Sequence, residues 1–330
     1  DFAAWMPTED LLSTDELMTI LEVGIDAGID EVRLTGGEPM LRPDIVEIVA
    51  RISSIKNAPK LSMTTNGLVL AKLAKPLVDA GLRRINISLD TLDREVFKKM
   101  TRRDRIDDVF AGIAAAKEAG LLPVKINTVL LRGVNDGEAV SLLKWALAED
   151  LNLRFIEQMP LDAGGIWSRE QLITADEIFA QLSEHYELTP VEYRGSAPAE
   201  EFLINGGPAT VGIIGSVSRP FCGACDRIRI TSDGQLRSCL FSMTETDLRS
   251  ILRSDLSQSE KTEALVSKFH STVKAKLPGH GINDPSFIQP IRPMSAIGGY
   301  EPPAKRGRMS MTSDGFTLLS RFNVADPLIK

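Results

Sequence analysis

The chain has 330 residues, 43% hydrophobic and 25% charged, which suits a globular protein with one large α/β domain and an appendage, or two domains. Its 38 Lys and Arg against 45 Asp and Glu give a formal charge of −7, so a generic nucleic-acid binder is disfavoured and an anionic substrate would need a local cluster of Arg or Lys. No apolar run approaches the ~20 residues that span a bilayer, nothing resembles a signal peptide, and the three cysteines crowd between positions 222 and 239, which fits a metal site in a reducing, cytoplasmic setting better than a disulfide framework.

Residues 10–28 carry apolar positions at helical spacing, and EVRLT at 31–35 follows as a short strand ending in Gly36-Gly37. The alternation then repeats: DIVEIVARISSI reads as helix and KLSMTT as strand, LAKLAKPLVDA as helix and RRINISL as strand. DDVFAGIAAAKEAG precedes the strand VKINTVLL, and EAVSLLKWALAED precedes LRFIEQM. Short strands separated by helices predict parallel pairing with crossover helices, in a partial or full β/α barrel or a doubly wound sheet. After Pro160 the rhythm breaks. The sequence predicts a helix over ADEIFAQLSEHYEL, a Pro- and Gly-rich loop at 194–208, and a hairpin-like region with TVGIIGSVS, RIRIT and QLRSCLF as strands and Ser232-Asp233-Gly234 as the turn. Helical stretches near 245–253 and 258–275 follow, and from Tyr300 onward the chain reads as a flexible tail or appended segment.

In a parallel β/α architecture, function gathers beyond the C-terminal ends of the strands. Those ends carry Gly36-Gly37-Glu38-Pro39, Thr64-Thr65-Asn66-Gly67, Ser88-Leu89-Asp90 and Gln158-Met159-Pro160. Each alone reads as a strand-to-helix turn; four on consecutive strands point to a ligand site, with glycines for close backbone approach and hydroxyls and amides for hydrogen bonds.

The sharpest local feature is Phe221-Cys222-Gly-Ala-Cys225-Asp-Arg227-Ile-Arg229 followed by Cys239, a C-x2-C-x13-C pattern whose last cysteine falls on the second arm of the expected hairpin. Three thiolates can reach one metal centre. Zinc completed by His185, His270 or His280 is one reading, and an iron–sulfur cluster with one open iron is the other. Arg227 and Arg229 share a strand face beside the cysteines and suit a polyphosphate or a purine edge, and Arg33 and Arg154 sit at inward-facing strand positions. No GxxxxGK[ST] loop is present, so a nucleotide would not be held in the P-loop manner.

In order along the chain, LTGGEP, TTNG, INISLDT, VKIN, RFIEQMP, FCGACDRIRIT and RPMSAIGG resemble the GTP 3′,8-cyclase family of molybdenum-cofactor biosynthesis, a radical S-adenosylmethionine (SAM) group. The resemblance implies a partial (β/α)6 barrel over 1–208, a β-rich and helical auxiliary-cluster and GTP-binding region over 209–299 ending in Gly298-Gly299, and a flexible tail over 300–330. It places SAM on Gly36, Gly37, Glu38, Thr64, Ser88, Lys125 and Met159, and GTP among Arg33, Arg154, Arg227 and Arg229. An auxiliary [4Fe–4S] cluster would rest on Cys222, Cys225 and Cys239 with its open iron facing the guanine, and a second, N-terminal cluster would reduce SAM to a 5′-deoxyadenosyl radical. That radical removes hydrogen from C3′ of GTP, and C3′ then joins C8 of the guanine. The implied partners are GTP, an electron donor and the next enzyme, cyclic pyranopterin monophosphate synthase, with neither nucleic acid nor membrane, and a homodimer as the compatible assembly. A peptide-modifying radical SAM enzyme and a non-catalytic zinc module are the competing readings.

Three features depart from the family pattern. The N-terminal CxxxCxxC is missing, yet a cysteine inserted before Asp1, between Ala3 and Ala4, and between Trp5 and Met6 restores its spacing. The expectation is that these cysteines were dropped; taken as written, the chain lacks ligands for the radical-generating cluster and would be inactive. Glu31 stands where members often carry a basic residue near the phosphates, and Tyr300 to Lys330 follow the Gly-Gly pair that usually ends the chain.

Overall fold

A computed structural model describes residues 6–161, 167–192, 194–290 and 317–322. The first layer of helix and strand begins at Ser13. Its hydroxyl accepts from the Glu16 amide while the Glu16 carboxylate accepts from the Ser13 amide, a capping box that starts α1 (Thr14–Asp26). Then come β1 (Ile29–Thr35), α2 (Ile45–Ser53), β2 (Lys60–Thr65), α3 (Leu70–Asp79) and β3 (Arg84–Ser88). Next are α4 (Arg94–Thr101), α5 (Ile106–Glu118), β4 (Lys125–Thr128), α6 (Ala139–Ala148) and β5 (Asn152–Ile156). The second half contains α7 (Ala175–Ser183), β6 (Leu188–Pro190), β7 (Glu200–Ile204), β8 (Thr210–Ile214), β9 (Arg227–Ile230), β10 (Gln235–Arg237) and β11 (Thr246–Asp247). It closes with α8 (Arg249–Leu252), α9 (Gln258–Lys274) and β12 (Thr317–Phe322).

Six strands pair in parallel in the order β1-β2-β3-β4-β5-β8. The order never reverses, so there is no topological switch point and the doubly wound alternative is excluded in favour of a partial barrel. Alternation along each strand sorts its side chains. Val32 and Leu34 of β1, Leu61 and Met63 of β2, Ile85 and Ile87 of β3, Ile126 of β4, and Leu153 and Phe155 of β5 are buried in one core with Leu17, Ile48, Leu77, Val109 and Leu142 of the helices. The intervening positions, chiefly polar, face the other way and line the inner surface of the barrel.

Two expectations need correction. TVGIIGSVS was placed with the cysteine hairpin, after a barrel ending at 208, yet β8 pairs parallel with β5 and supplies the sixth barrel strand. It is reached through the antiparallel β6–β7 pair, where the sequence had predicted mostly loop. A short apolar strand reads the same in either sheet, and parallel pairing is non-local, so nothing local in TVGII fixes its partner. Within the segment expected as a flexible tail, β12 forms a strand antiparallel to both β1 and β9; the rest of 300–330 lies outside the described residues. It covers two edges that would otherwise present unpaired N–H and C=O groups.

The expected hairpin is the β9–β10 pair, with Ser232-Asp233-Gly234 at its turn and Thr231 Oγ1 donating to Asp233 Oδ1 at 2.5 Å. Cys239 follows the end of β10 and lies in a loop, not on the strand. Helix α4 was not foreseen, and the stretch near 245–253 is helical only over α8. No helix among the described residues is long and apolar enough to cross a membrane.

Candidate active site

The strand registers assemble the inner face row by row. Arg33, Ser62 and Arg84 stand side by side on β1, β2 and β3; Asn86, Lys125 and Asn152 on β3, β4 and β5; and Ser88, Asn127, Arg154 and Gly212 on β3, β4, β5 and β8. Residues paired across adjacent strands project from the same face, so these side chains line one surface. Burial, followed by the charges of Arg154, Arg84 and Arg33, pushes Lys125 down to about 8, so its ammonium senses all three guanidiniums. Glu31, buried at the Arg33 end, lies 3.5 Å from Arg33 and 3.9 Å from Arg84, and Glu201 accepts from Arg154 at 3.3 Å. Gly212 makes the latter pair geometrically open. It sits in register between Arg154 and Glu201, and a Cβ there would stand 3.0 Å from Arg154 Cγ and 3.2 Å from Ala199 Cβ.

At the strand ends, Glu38 has its carboxylate turned into the protein. It accepts from Thr65 Oγ1 at 2.7 Å, the Asn66 amide at 2.7 Å and the Met40 amide at 3.1 Å, while burial pushes its carboxyl up. Glu38 thereby ties the loop after β1 to the loop after β2, leaving Gly36 (φ 147°) partly exposed and Gly37 exposed at the strand end. Thr64 Oγ1 accepts from Asn86 Nδ2 at 3.2 Å, and Ser88 is exposed at the end of β3. Asn127 Oδ1 is buried without a hydrogen-bond partner, an acceptor left over on the inner face. Sequence reasoning passed over Arg84, Asn127 and Glu201, although Arg84 and Asn127 occupy the same alternating strand positions that singled out Arg33 and Arg154.

Glu157, one position past β5, works as Glu38 does. It accepts from the Ala175 amide at 2.6 Å, the Val217 amide at 2.7 Å and the Ser218 amide at 2.8 Å, fixing the loop after β8 and the start of α7. Met159, two residues later, packs on the small apolar cluster of Leu161, Leu172, Val217, Phe241 and Ile282, and so does Cys239. The strand-end site and the cysteine region therefore share a wall.

Cys222, Cys225 and Cys239 are half-buried free thiols. Burial pushes Cys222 up, and the charges of Cys239 and Cys225 add to that, so the three are electrostatic neighbours. Burial also raises Cys225, but Arg227 and Lys276 outweigh it and hold that thiol below its usual value. Arg227 Nη2 donates to Cys225 Sγ at 3.4 Å and its guanidinium lies 4.7 Å from the Phe221 ring centre, while its buried Nε has no partner. Burial pushes Arg229 down to about 10, with Cys239 opposing the shift. Lys276 Nζ donates to the carbonyls of Arg227 at 2.6 Å and Ser238 at 2.7 Å, and Arg237 donates to the carbonyls of Leu240 and Ser242 and pairs with Glu245. The loop bearing Cys239 is thus held on both sides of the thiol.

Among the described residues no three His, Cys, Asp or Glu side chains already converge as a metal cage. Soft thiols beside Arg227, Arg229 and Lys276 nevertheless fit an anionic iron–sulfur group, whose charge those cations would offset. A fourth histidine ligand is not on offer from His280, because its Nε2 meets the Ser216 carbonyl at 3.0 Å and its Nδ1 accepts from the Ile282 amide at 3.2 Å. Residues 1–5, where the first-cluster cysteines would fall, and Gly298-Gly299 lie outside the described residues.

A six-stranded parallel half-barrel with a glycine-rich first strand end and an appended thiol region is the architecture of a radical SAM enzyme. The radical SAM superfamily profile matches residues 2–146, and the Molybdenum Cofactor Synthesis C profile matches residues 151–282. A GTP 3′,8-cyclase of Streptomyces coelicolor is 53% identical over 89% of this chain and 86% of its own length, and one of Mycolicibacterium smegmatis is 50% identical over 89% and 82%. A radical SAM methyltransferase from Sphaerobacter thermophilus aligns with a TM-score of 0.38 at 18% identity over 61% of this chain and 52% of its own. The chain belongs to the GTP 3′,8-cyclase family of radical SAM enzymes, which act through SAM and a [4Fe–4S] cluster at the first step of molybdenum-cofactor biosynthesis.

Proposed function

We propose that this chain cyclises GTP to (8S)-3′,8-cyclo-7,8-dihydroguanosine 5′-triphosphate, with the triphosphate on the inner face of the barrel and the guanine toward the three thiols. The observation that carries this arrangement is the division of charge: Arg33, Arg84, Lys125 and Arg154 share one surface, and Arg227 and Arg229 flank the cysteines at its margin. A chain of phosphates bearing a charge near −4 suits the first set, because guanidinium binds phosphate in a bidentate, planar manner.

When bound, SAM and its cluster supply the radical that takes the C3′ hydrogen. The protein's own residues hold the reactants. Gly36, Gly37, Thr64, Ser88 and Met159 would position SAM at the strand ends, with Lys125 in the row of Thr64 and one row below Ser88, and Glu38 shaping the loop without touching the ligand. The buried Asn127 Oδ1 would accept from a ligand hydroxyl or amino group. Cys222, Cys225 and Cys239 would hold a second [4Fe–4S] cluster with an open iron, and Arg227 and Arg229 would sit beside the base. Enclosing both ligands aligns C3′ with C8 and keeps water away from the radical. An electron donor and cyclic pyranopterin monophosphate synthase would be the partners before and after this step. Free thiols in a cluster-binding region accord with the reducing cytoplasm.

Iron, sulfide and zinc analysis of anaerobically reconstituted protein, paired with mass spectrometry of products from GTP and SAM, tests this reading. Three thiols alone predict about four irons per chain, and an added N-terminal motif about eight, with cyclised GTP and 5′-deoxyadenosine formed together in the second case. Stoichiometric zinc without iron, or SAM cleavage without any change in GTP, would overturn it.

A further inference from the structure

The inner face gathers Arg33, Arg84, Lys125 and Arg154 on one surface, and a carboxylate beside them offsets part of that charge when no nucleotide is bound. Glu31 is placed to do so. It is 8% exposed, and its two carboxylate oxygens point to different partners, Oε1 to Arg33 and Oε2 to Arg84. The two arginines reach it from either side of β2, where the register puts only the small Ser62 between them; Arg33 Nε donates to Ser62 Oγ at 3.2 Å. At 3.5 and 3.9 Å, both ion pairs are longer than the ~2.8 Å of a direct charge-assisted bond, so Glu31 forms a bidentate pair with neither guanidinium. A phosphate group that approached Arg33 and Arg84 would meet donors already oriented and a carboxylate that competes for them.

We infer that Glu31 is the resident counter-ion of the phosphate pocket, holding Arg33 and Arg84 in place when no nucleotide is bound and weakening the pocket's grip on a phosphate chain. This rests on the inner face being the phosphate site and makes Glu31 a specificity-determining residue for chain length, since each added phosphate meets the same carboxylate. Two opposite effects of its removal follow. Neutralising Glu31 leaves the cations unscreened in the empty protein, which lowers stability. The same change leaves more positive charge for the phosphates, which strengthens binding.

Glu31→Gln keeps the side-chain volume and separates these effects. Calorimetric titration with guanosine, GMP, GTP and inorganic tripolyphosphate, with thermal denaturation of the nucleotide-free protein, reads both. The expected result is about five- to tenfold tighter GTP and tripolyphosphate, a smaller gain for GMP, no change for guanosine, and a lower melting temperature without ligand. Weaker GTP binding, or an equal change for guanosine and GTP, would overturn the proposal. Should Glu31→Gln not fold, Arg84→Gln supplies a second route: it is expected to weaken tripolyphosphate binding several-fold, and unchanged binding would count against the proposal. Tripolyphosphate also separates the two claims. A wild-type chain that binds it but not GTP would sink the GTP reading and leave Glu31 testable.

Discussion

The inner face of the barrel and the thiol region are both cationic, but they handle their charge differently. On the inner face, cations meet carboxylates side chain to side chain: Arg33 and Arg84 with Glu31, Arg154 with Glu201. Around the thiols, Lys276 spends its hydrogen bonds on two carbonyls, which orient the ammonium without neutralising it, and Arg227 leans on a sulfur and an aromatic ring. In the proposed site, the barrel's own carboxylates would substitute for an anionic ligand as it leaves. The thiol region carries a standing positive field suited to a resident anionic group. On the proposed function, the first pattern suits a substrate that comes and goes and the second a cofactor that stays.

The largest break in this comparison is expected from Cys239→Ala. It should abolish retention of the cluster in the thiol region and reduce cyclisation to background, with tripolyphosphate affinity unchanged; iron analysis and titration check both halves. The double change Arg227→Ala with Arg229→Ala comes next. Removing two charged donors at about 1.5–3 kcal/mol each should weaken GTP binding by at least about a hundredfold while cluster content holds, as calorimetry and iron assay would read. A smaller effect is expected with pH. Lys125 carries its charge below about 8 and loses it above, so GTP affinity should be level near neutrality and fall as pH rises through that value. Lys125→Arg should flatten the profile, because guanidinium stays protonated throughout. The smallest is Gly212→Ala, whose added methyl crowds Arg154 and should cost a few-fold in GTP affinity without touching the thiol region.

The parallel strands were legible because short strands alternate with helices, and the partial barrel followed from the family resemblance; within each strand, aliphatic and polar residues alternate. The same signal placed Arg33 and Arg154 inward, and it was equally present at Arg84 and Asn127. What could not be read was pairing at a distance. TVGII gives no hint that it lies beside β5, so the sixth barrel strand was assigned to the wrong partner. Glu38 was placed among the SAM contacts and Glu157 was not singled out within RFIEQMP, because the inward direction of both depends on amides just past β2 and β8 and at the start of α7 that only the fold brings near. Lys276 was invisible for a related reason: it sits just past α9 and acts through carbonyls, which carry no sequence signature.

In the proposed complex one GTP bridges the two regions, with phosphates on the barrel face and base at the thiols. Titrating GTP and ATP into the protein with its thiol-region cluster loaded, and again after that cluster is removed, tests it most directly. The account predicts a preference for GTP only when the cluster is present, with affinity for the triphosphate persisting in both states. Equal preference for GTP with and without the cluster would contradict it.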